Sequence, residues 1–467
     1  MCILIEAKAL GPIKQAKIQL RPLTVLVGPN NTGKTWLAYA IAAAFDTVGQ
    51  SLLVSSLESM SRARLARSFP ELAVFLDTIR QEGIAKLDMA ELAINHALDY
   101  ANRAARQVVR HFDTLIDSEA VDTIGASLRV SQIDVSPQRL RERALELQIH
   151  RSLGKQESVS LNKDRGDSML WVATDSSLED VRGSGLVRSQ VMIHVLTFLE
   201  LLHFRRVHFL PTERAALHPF AQTIARLSTI GRPQLEFAPG KEPLRLRMPF
   251  ATDQFLEDYS EMLVNTEVSK KSDAASRRRV SELARVLEER VLRGTIEVPQ
   301  EGSEGAGEVL YRFAADVAPI ELQVSSSMVK ELAALVMYVR SRIGPRDLLV
   351  IDEPEMNLHP EAQLRLMEFL AMLVSSGVHI LMTTHSPYMV DHLANLMKAA
   401  RATDREATAA KFLLQDPRAF VAQNDVSVYL VERGTASSIL RDDGLIDWGT
   451  FGHWSEYVSN LYFDIGE

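Results

Sequence analysis

Residues 28–35 read Gly-Pro-Asn-Asn-Thr-Gly-Lys-Thr, and this stretch decides the fold of the 467-residue sequence. It follows the compact apolar run Leu23 to Val27 and precedes apolar residues at helical spacing from Thr35 to Phe45, so it predicts a strand, a loop and a helix. Glycines in such a loop let backbone N–H groups curl around phosphates, and the helix adds its positive N-terminus. The stretch therefore predicts a phosphate-binding loop.

The polar residues of the loop have separate predicted roles. Lys34 is expected to reach the β and γ phosphates of a nucleotide, and Thr35 is expected to give its hydroxyl to Mg²⁺, which prefers oxygen ligands. ATP and Mg²⁺ are the predicted ligands. The other predicted phosphate contacts are Gly28, Asn30, Asn31, Thr32 and Gly33.

A second apolar strand, Leu348 to Asp352, ends in two carboxylates. Asp352 at the strand end is predicted to hold the metal through water, because a buried strand fixes its position. Glu353 is predicted to orient and deprotonate the attacking water. The alternative is an acidic strand end that faces solvent.

A third apolar run, Val378 to Thr384, ends in His385, Ser386 and Pro387. His385 is a candidate for contacting the γ phosphate, because it follows the strand after Asp352 in the chain. The alternative is a surface histidine or one with a purely structural partner.

In this order the motifs resemble those of ABC-type ATPases, in the group that includes the overcoming-lysogenization-defect (OLD) proteins and the SMC-like repair ATPases. The resemblance matches Gly28–Thr35 to Walker A, Leu348–Glu353 to Walker B and His385 to the switch histidine. Glu355–Pro360 resembles the D-loop, with His359 where transporters carry aspartate. The His-Pro form is typical of the OLD-like branch and argues against a transporter subunit.

The segment Val324–Glu331 resembles the signature motif, which in the family contacts the γ phosphate held by the opposite subunit. Ser325 would supply the hydroxyl, and Ser327 is a second predicted nucleotide contact. Ser326 and Ser327 stand where glycines are usual. The resemblance implies a homodimer, or a higher homo-oligomer, with ATP sandwiched between heads. A serine-rich helix cap is the alternative.

Residues 209–214 resemble a segment of the same OLD-like group. The resemblance places Arg214 or Glu213 beside the nucleotide, near the Q-loop position. A buried structural ion pair is the alternative.

The fold class predicted by the alternation of strands and helices is α/β, an ABC-type head with a mainly parallel sheet. An antiparallel β portion and a large, mostly helical insertion are expected in addition, because the gap between loop and signature far exceeds one βα unit. The predicted division is an N-terminal lobe of the head, 1–50, the insertion, 51–204, a C-terminal lobe of the head, 205–410, and an extension, 411–467.

The amino-acid composition limits the kinds of partner that this protein is expected to bind. A net charge of -8 and a pI near 5.9 argue against a nucleic-acid coat over the whole surface, although the basic run Ser269–Arg279 is a candidate linker or local contact. Cys2, the single cysteine, cannot form an internal disulfide, which fits a reducing compartment. No run reaches the roughly 18 apolar residues of a membrane span. We expect a cytoplasmic protein with no membrane partner.

OLD proteins usually carry a Toprim nuclease domain after the ATPase. The acidic residues between Arg441 and Asp447 lie on no convincing strand, so we expect the ATPase alone. Stand-alone ATPases of anti-phage defence systems such as Septu and PARIS are similar, and this resemblance implies a separately encoded nuclease or toxin as effector. The alternative is a DNA-repair or recombination ATPase that binds nucleic acid directly. A scaffold with an inactive site is a third interpretation, but Lys34, Asp352, Glu353 and His385 are all present.

Overall fold

The computed structural model describes residues 2–118, 123–153, 159–174, 185–229, 248–264, 274–299 and 308–447, together with 457, 460 and 461. The chain divides into two compact units. Unit 1 comprises Met1–Leu10, Ala40–Asp113 and Val121–Val207, and unit 2 comprises Gly11–Tyr39, Thr114–Ala120 and His208–Glu467. The first strand is therefore grouped with unit 1, whereas the phosphate-binding loop is part of unit 2.

The strands are, in chain order, β1 (Cys2–Leu10), β2 (Ile13–Leu20), β3 (Leu23–Val27), β4 (Ile84–Asp88), β5 (Ser127–Asp134), β6 (Ile149–Leu153), β7 (Val159–Lys163), β8 (Met169–Thr174), β9 (Val207–Leu210), β10 (Thr295–Glu297), β11 (Leu310–Arg312), β12 (Ile320–Glu321), β13 (Leu348–Asp352), β14 (His379–Thr384), β15 (Val426–Glu432) and β16 (Thr435–Ser438).

The α-helices are α1 (Lys34–Ala43), α2 (Thr47–Glu58), α3 (Arg62–Ser68), α4 (Pro70–Glu82), α5 (Met89–Arg110), α6 (Phe112–Leu115), α7 (Pro137–Glu146), α8 (Gly185–Leu201), α9 (Arg214–Thr229), α10 (Phe250–Val264), α11 (Ala274–Val286), α12 (Ser327–Ser341), α13 (Pro360–Ser375), α14 (Pro387–Ala399) and α15 (Arg405–Ala409). A π-helical turn, Leu287–Leu292, follows α11 directly.

The central sheet of unit 2 has the strand order β2-β16-β15-β3-β14-β13-β9. Strand β3 pairs in parallel with β14 on one side and with β15 on the other, and β14 pairs in parallel with β13. Every residue of β3 and of β13 is buried, as expected for parallel strands that are covered on both faces. The predicted mainly parallel α/β sheet is confirmed.

Both units also contain antiparallel strands, in addition to the central, mainly parallel sheet. In unit 2, β10, β11 and β12 form a three-stranded antiparallel sheet. In unit 1, a four-stranded antiparallel sheet has the order β4-β8-β7-β6, and β1 pairs antiparallel with β5. Helix α5 in unit 1 buries a face rich in alanine, which lets neighbouring helices approach closely. The predicted antiparallel portion and helical insertion are thus present in the fold.

The basic run Ser269–Arg279 is not a linker over its described part. Residues from Ala274 onward belong to α11, whereas 269–273 lie outside the described residues. The helix forms because Val280, Leu283 and Leu287 bury one face at helical spacing, and because alanine and arginine favour helix.

Membrane-spanning potential is confined to one weak case among the described helices. No single helix is long and apolar enough for a span, although α1 and α2, bent by 57° at their junction, meet the criterion of length and composition together.

A buried charged cluster joins the beginnings of β9 and β13 to α10. The imidazole of His208, 2% exposed, lies 3.2 Å from the Asp347 carboxylate and 3.7 Å from that of Asp258. Tyr338 packs its ring edge against His208, and Arg342 lies 3.7 Å from Asp258. Burial disfavours the charged imidazole, but the two carboxylates outweigh burial, so the pKa of His208 is raised.

This cluster should make stability depend on pH. A raised folded pKa contributes stability that is fully present below the unfolded histidine pKa of about 6.5 and is lost as pH rises through the folded pKa. We expect His208→Gln to lower the free energy of unfolding by roughly 3 kcal/mol at about pH 6, and by less at about pH 9, in urea titrations. The control is His150→Gln, because the side chain of His150 is 47% exposed. A loss of stability in His208→Gln that grows with pH would contradict the raised pKa of His208.

Candidate active site

The loop between β3 and α1 needs backbone angles that favour glycine. Gly28 has a φ of 146° and Gly33 a φ of 90°. A Cβ atom at Gly28 would lie 2.2 Å from the carbonyl oxygen of Val431 on β15, so no side chain fits there. Asn31 has a φ of 61°, which asparagine tolerates better than most residues. The residues at 28, 31 and 33 thus adopt the positive φ angles that this tight loop requires.

The side chain of Lys34 folds back into the loop. Its Nζ donates hydrogen bonds to the carbonyl oxygens of Gly28 at 3.1 Å and Pro29 at 2.8 Å, and the residue is 5% exposed. Burial lowers the pKa of Lys34, and the carboxylates of Glu353 and Asp352 oppose this shift. The loop therefore holds a cation among carbonyl oxygens, where phosphate oxygens are suitable replacement acceptors.

The carboxylate of Asp352, 4% exposed, accepts hydrogen bonds from three threonine hydroxyls. Thr35 at the start of α1 donates at 3.0 and 3.1 Å, and Thr212 after β9 donates at 2.7 Å. Thr383 on β14 makes a third, close contact. Strand register explains it, because Asp352 and Thr383 are paired neighbours in the parallel sheet.

The donor set fits a Mg²⁺ ion. Thr35 and Asp352 bring a hydroxyl and a carboxylate together, and both are the oxygen ligands that Mg²⁺ prefers when phosphates and water supply the rest. The two residues lie 317 positions apart in the sequence and meet because β3 and β13 flank β14.

Glu353 and His385 form a half-exposed pair beside Asp352. The Nε2 of His385 lies 3.1 Å from Oε1 of Glu353, and the side chains are 24% and 25% exposed. The hydrogen bond from His385 lowers the pKa of Glu353 against the effect of burial. Glu353 also has a φ of 46°, a strained conformation of the kind that clusters at functional sites. The geometry thus presents an ionised carboxylate to incoming ligands.

Glu355 fixes the segment that carries His385. Its Oε1 accepts hydrogen bonds from the Thr384 hydroxyl at 2.8 Å and from the His385 backbone N–H at 2.5 Å. The hydroxyl of Ser386 donates to Gln363 at 2.5 Å, which ties the same turn to α13. Burial raises the pKa of Glu355. Sequence reasoning gave Glu355 no role beyond its place in the D-loop.

The serines of the signature segment lie at the start of α12. Ser326 is the N-cap, since its hydroxyl oxygen accepts a hydrogen bond from Val329 N–H at 3.4 Å. This agrees with the alternative interpretation of the segment as a serine-rich helix cap. Ser325 donates its hydroxyl to the Leu322 carbonyl at 2.6 Å, and Ser327 is exposed as the first helical residue. Among the contacts of the described residues, no hydrogen bond joins Ser325 or Ser327 to the loop 28–35. Their predicted nucleotide contact stays a prediction.

The His-Pro pair of the D-loop has a local structural explanation. His359 is the N-cap of α13, and its Nδ1 accepts from Glu361 N–H at 3.4 Å. Pro360 occupies the first helical position, where its missing N–H costs nothing. Asn357, at a φ of 59°, donates its amide to Glu331 at 3.0 Å. These residues anchor the D-loop between α12 and α13.

Arg214 supports the backbone of the Walker B end. The residue is 3% exposed, and its guanidinium donates to the carbonyl oxygens of Asp352 at 2.8 Å and Glu353 at 3.2 Å. Its Nε lies 3.1 Å from the Glu331 carboxylate, which is also 3% exposed. Glu213 is exposed at the start of α9. The buried ion pair left open by the sequence is therefore formed, and a direct nucleotide contact by Arg214 stays a prediction.

The structure gathers most of the predicted residues at the carboxyl ends of β3, β13 and β14. Lys34, Thr35, Asp352, Glu353 and His385 meet there. Residues that sequence reasoning did not single out complete the arrangement. They are Thr212, Glu331, Glu355 and Thr383, of which Thr212 and Thr383 carried a signal, since each follows or ends an apolar strand.

This fold and site define a P-loop ATPase domain with the ABC-type order of motifs. Residues 201–391 match the model of the family described as "AAA domain, putative AbiEii toxin, Type IV TA system". That match contains Asp352, Glu353 and His385 and spans less than half of the chain. No match to a curated protein was found.

Solved structures with a loose overall likeness are heads of SMC proteins. They include the Smc head domain with an extended coiled coil bound to the C-terminal domain of ScpA, derived from Pyrococcus furiosus, at 12% identity and TM-score 0.33, covering 100% of this chain and 99% of that one. The SMC head domain from Thermotoga maritima has 12% identity and TM-score 0.32, with coverages of 94% and 98%.

The two interpretations of Arg214 can be separated by a double replacement. We expect Arg214→Met alone to lower the free energy of unfolding by about 3–5 kcal/mol, because the buried Glu331 carboxylate loses its partner. Adding Glu331→Met should recover most of that loss in urea titrations. ATP affinity, measured by isothermal titration, should then be close to wild type. A stable double variant that no longer binds ATP would contradict a role for Arg214 that is limited to the buried ion pair.

Proposed function

We propose that this protein hydrolyses ATP. The observation that carries the proposal is the meeting of the Thr35 hydroxyl and the Asp352 carboxylate at 3.0 Å, with the Glu353–His385 pair adjacent in the chain to the same strand ends. An oxygen-ligand pair, a buried lysine and an ionised carboxylate are the parts that phosphoryl transfer to water requires.

Each residue has a role in this proposal. Lys34 exchanges its loop carbonyls for the β and γ phosphates, and the N-terminus of α1 adds its partial positive charge. Thr35 and Asp352 would hold Mg²⁺, which when bound supplies positive charge against the charge developing on the transferred phosphoryl group. Glu353 orients a water molecule and accepts its proton, because its lowered pKa keeps it ionised.

His385 positions Glu353 through the 3.1 Å contact of its Nε2 and faces the γ phosphate in this proposal. Glu355 holds the His385 backbone in place through the 2.5 Å hydrogen bond, so a movement of the D-loop would move the histidine. The site thereby links nucleotide state to backbone position.

We further infer that the complete site forms between two copies of the chain. The exposed Ser327 and the partly exposed turn at Ser325 support this proposal, because neither serine is hydrogen-bonded to the loop of its own chain among the described residues. The N-terminus of α12 would then face the γ phosphate on the partner's loop, where its N–H groups favour an anion. A nucleotide that binds the joined state more tightly than the separate state acts as a switch.

The switch is proposed to regulate a separately encoded effector, a nuclease or toxin, in bacterial anti-phage defence. The support for this role is the similarity of the motifs to those of stand-alone defence ATPases. The cytoplasmic location expected from the sequence also stays a prediction.

The alternative, a DNA-repair ATPase that binds nucleic acid directly, gains no particular support from the basic run. Arg278 is exposed on α11, but its guanidinium pairs with Glu282 one helical turn further on, at 3.2 Å. A surface pair of this kind partly neutralises the charge that a phosphate backbone would need.

Glu353→Gln tests the assigned base. The amide keeps the shape of the side chain but accepts no proton, so we expect ATP binding near the wild-type level and a turnover lowered about 100-fold or more. Phosphate release and equilibrium binding are the measurements. Glu361→Gln, on the exposed first turn of α13, is the matched control and should leave turnover unchanged. Normal hydrolysis by Glu353→Gln would remove Glu353 as the base.

Mixing two inactive variants tests the shared site. Lys34→Ala removes the phosphate-binding cation and Ser325→Arg blocks the signature turn, so each variant alone should hydrolyse no ATP. An equimolar mixture restores one intact site in each mixed dimer, and we expect about a quarter of wild-type turnover from random pairing. A mixture no more active than its components would contradict a site formed by two copies. Sedimentation velocity with ATP should show the dimer directly.

A further inference from the structure

Unit 1 contains a groove of about 730 Å³ between α4, β4 and the first turn of α5. Its lining includes residues from both faces of β4: Ala85 and Leu87, which are buried, and Ile84 and Lys86, which are exposed. A groove that touches both faces of a strand runs along the strand's edge. The feature is therefore an edge groove, and all of its lining residues belong to unit 1.

The hydrogen-bond register of β4 shows which backbone groups face the groove. Strand β4 is the outer strand in the order β4-β8-β7-β6. Thr174 N–H donates to the Gly83 carbonyl at 2.8 Å, and Met89 N–H donates to the Ser168 carbonyl at 2.9 Å. In an antiparallel ladder the hydrogen-bonded positions alternate, so residues 83, 85, 87 and 89 direct their N–H and C=O groups to β8.

Ile84 and Lys86 consequently direct their backbone N–H and C=O groups away from β8. No other strand in the part of the chain that the structure describes pairs with this edge. An outer strand with free ladder groups is a template for another extended segment, unless charge or a covering element protects it.

Large apolar side chains are exposed around this edge. Val74 on α4 is 65% exposed, Ile84 is 50% exposed and Trp171 on β8 is 45% exposed. Phe75 and Leu92 line the floor of the groove and are buried. Exposed apolar groups gathered beside a strand edge are typical of a protein-binding surface.

The charges around the groove are mainly negative. Four lining residues are acidic, Glu71, Glu82, Asp88 and Glu91, whereas Lys86 is the basic one, with its Nζ 5.9 Å from the centre of the Trp171 ring. Such a rim attracts basic side chains and repels acidic ones. Residues 175–184, outside the described part of the chain, carry three acidic residues and one basic residue, so their composition does not complement this rim.

We propose that the groove binds an extended segment of a partner protein, which adds to β4 as a further strand. The segment has apolar side chains at alternate positions, which contact Val74, Phe75 and Trp171, and lysine or arginine side chains, which face the acidic rim. Main-chain hydrogen bonds to Ile84 and Lys86 supply sequence-independent affinity, and the side chains supply selectivity. The inference concerns binding alone and holds whether or not ATP turnover is coupled to it.

The test uses the full chain and a fluorescein-labelled nine-residue peptide of alternating valine and lysine. We expect saturable binding with a Kd below about 1 mM by fluorescence anisotropy at low salt. A matched peptide of valine and glutamate should bind at least about tenfold more weakly. Hydrogen exchange should slow at the amides of Ile84 and Lys86 when the valine–lysine peptide is bound.

Three variants separate the contribution of backbone hydrogen bonds to peptide binding from that of the acidic rim. Lys86→Pro removes an outward N–H, which an edge strand tolerates, and should weaken binding about tenfold. The double variant Glu82→Lys/Glu91→Lys leaves the backbone unchanged and should weaken binding about tenfold at low salt, with little effect at high salt. Glu142→Lys is the charge-matched control, because Glu142 is exposed on α7 and outside the groove, and should bind as the wild type does.

Three peptide-binding results would overturn the proposal. They are no binding of the valine–lysine peptide to the wild type, equal binding of both peptides at low salt, and equal binding by the wild type and the double variant at low salt. Self-association of the wild type that Trp171→Ala abolishes would also overturn it, because the occupant would then be a second copy of the chain.

Discussion

The Asp352 carboxylate is the point on which the site depends. A buried carboxylate is costly unless it is hydrogen-bonded, and this one is satisfied by hydroxyls from three separate segments, at Thr35, Thr212 and Thr383. Each segment must be in place for the charge to be tolerated. Correct folding of the sheet and correct assembly of the candidate metal site are thus one physical requirement.

The backbone around Asp352 is held as firmly as its side chain. Glu353 adopts a strained positive φ, and the guanidinium of Arg214 donates hydrogen bonds to the backbone carbonyl oxygens of Asp352 and Glu353. Glu331 balances the charge of Arg214, and its own carboxylate is oriented by Asn357 of the D-loop. Through these contacts one hydrogen-bonded network joins the signature helix α12, the D-loop and the Walker B end, so a change at one should alter the others.

The residues proposed for catalysis belong to unit 2, whereas the edge groove belongs to unit 1. The two proposals therefore rest on different residues and can be tested separately. The binding proposed for the groove would give the large insertion a role that its helical periodicity alone could not indicate.

The sequence by itself determined the local parts of this protein. The glycines at 28 and 33, the apolar strands that lead to Asp352 and His385, and the α/β alternation follow from short-range backbone and burial requirements that adjacent residues impose. Only the tertiary structure decided which distant side chains form hydrogen bonds and ion pairs with those local elements. Thr212 meets Asp352 across 140 positions, and Arg214 pairs with Glu331 across more than 100, because strand order and helix packing bring them together. Such pairings leave no periodic trace in a single sequence, so Glu331, Glu355 and the outer edge of β4 could be recognised only after the chain had folded.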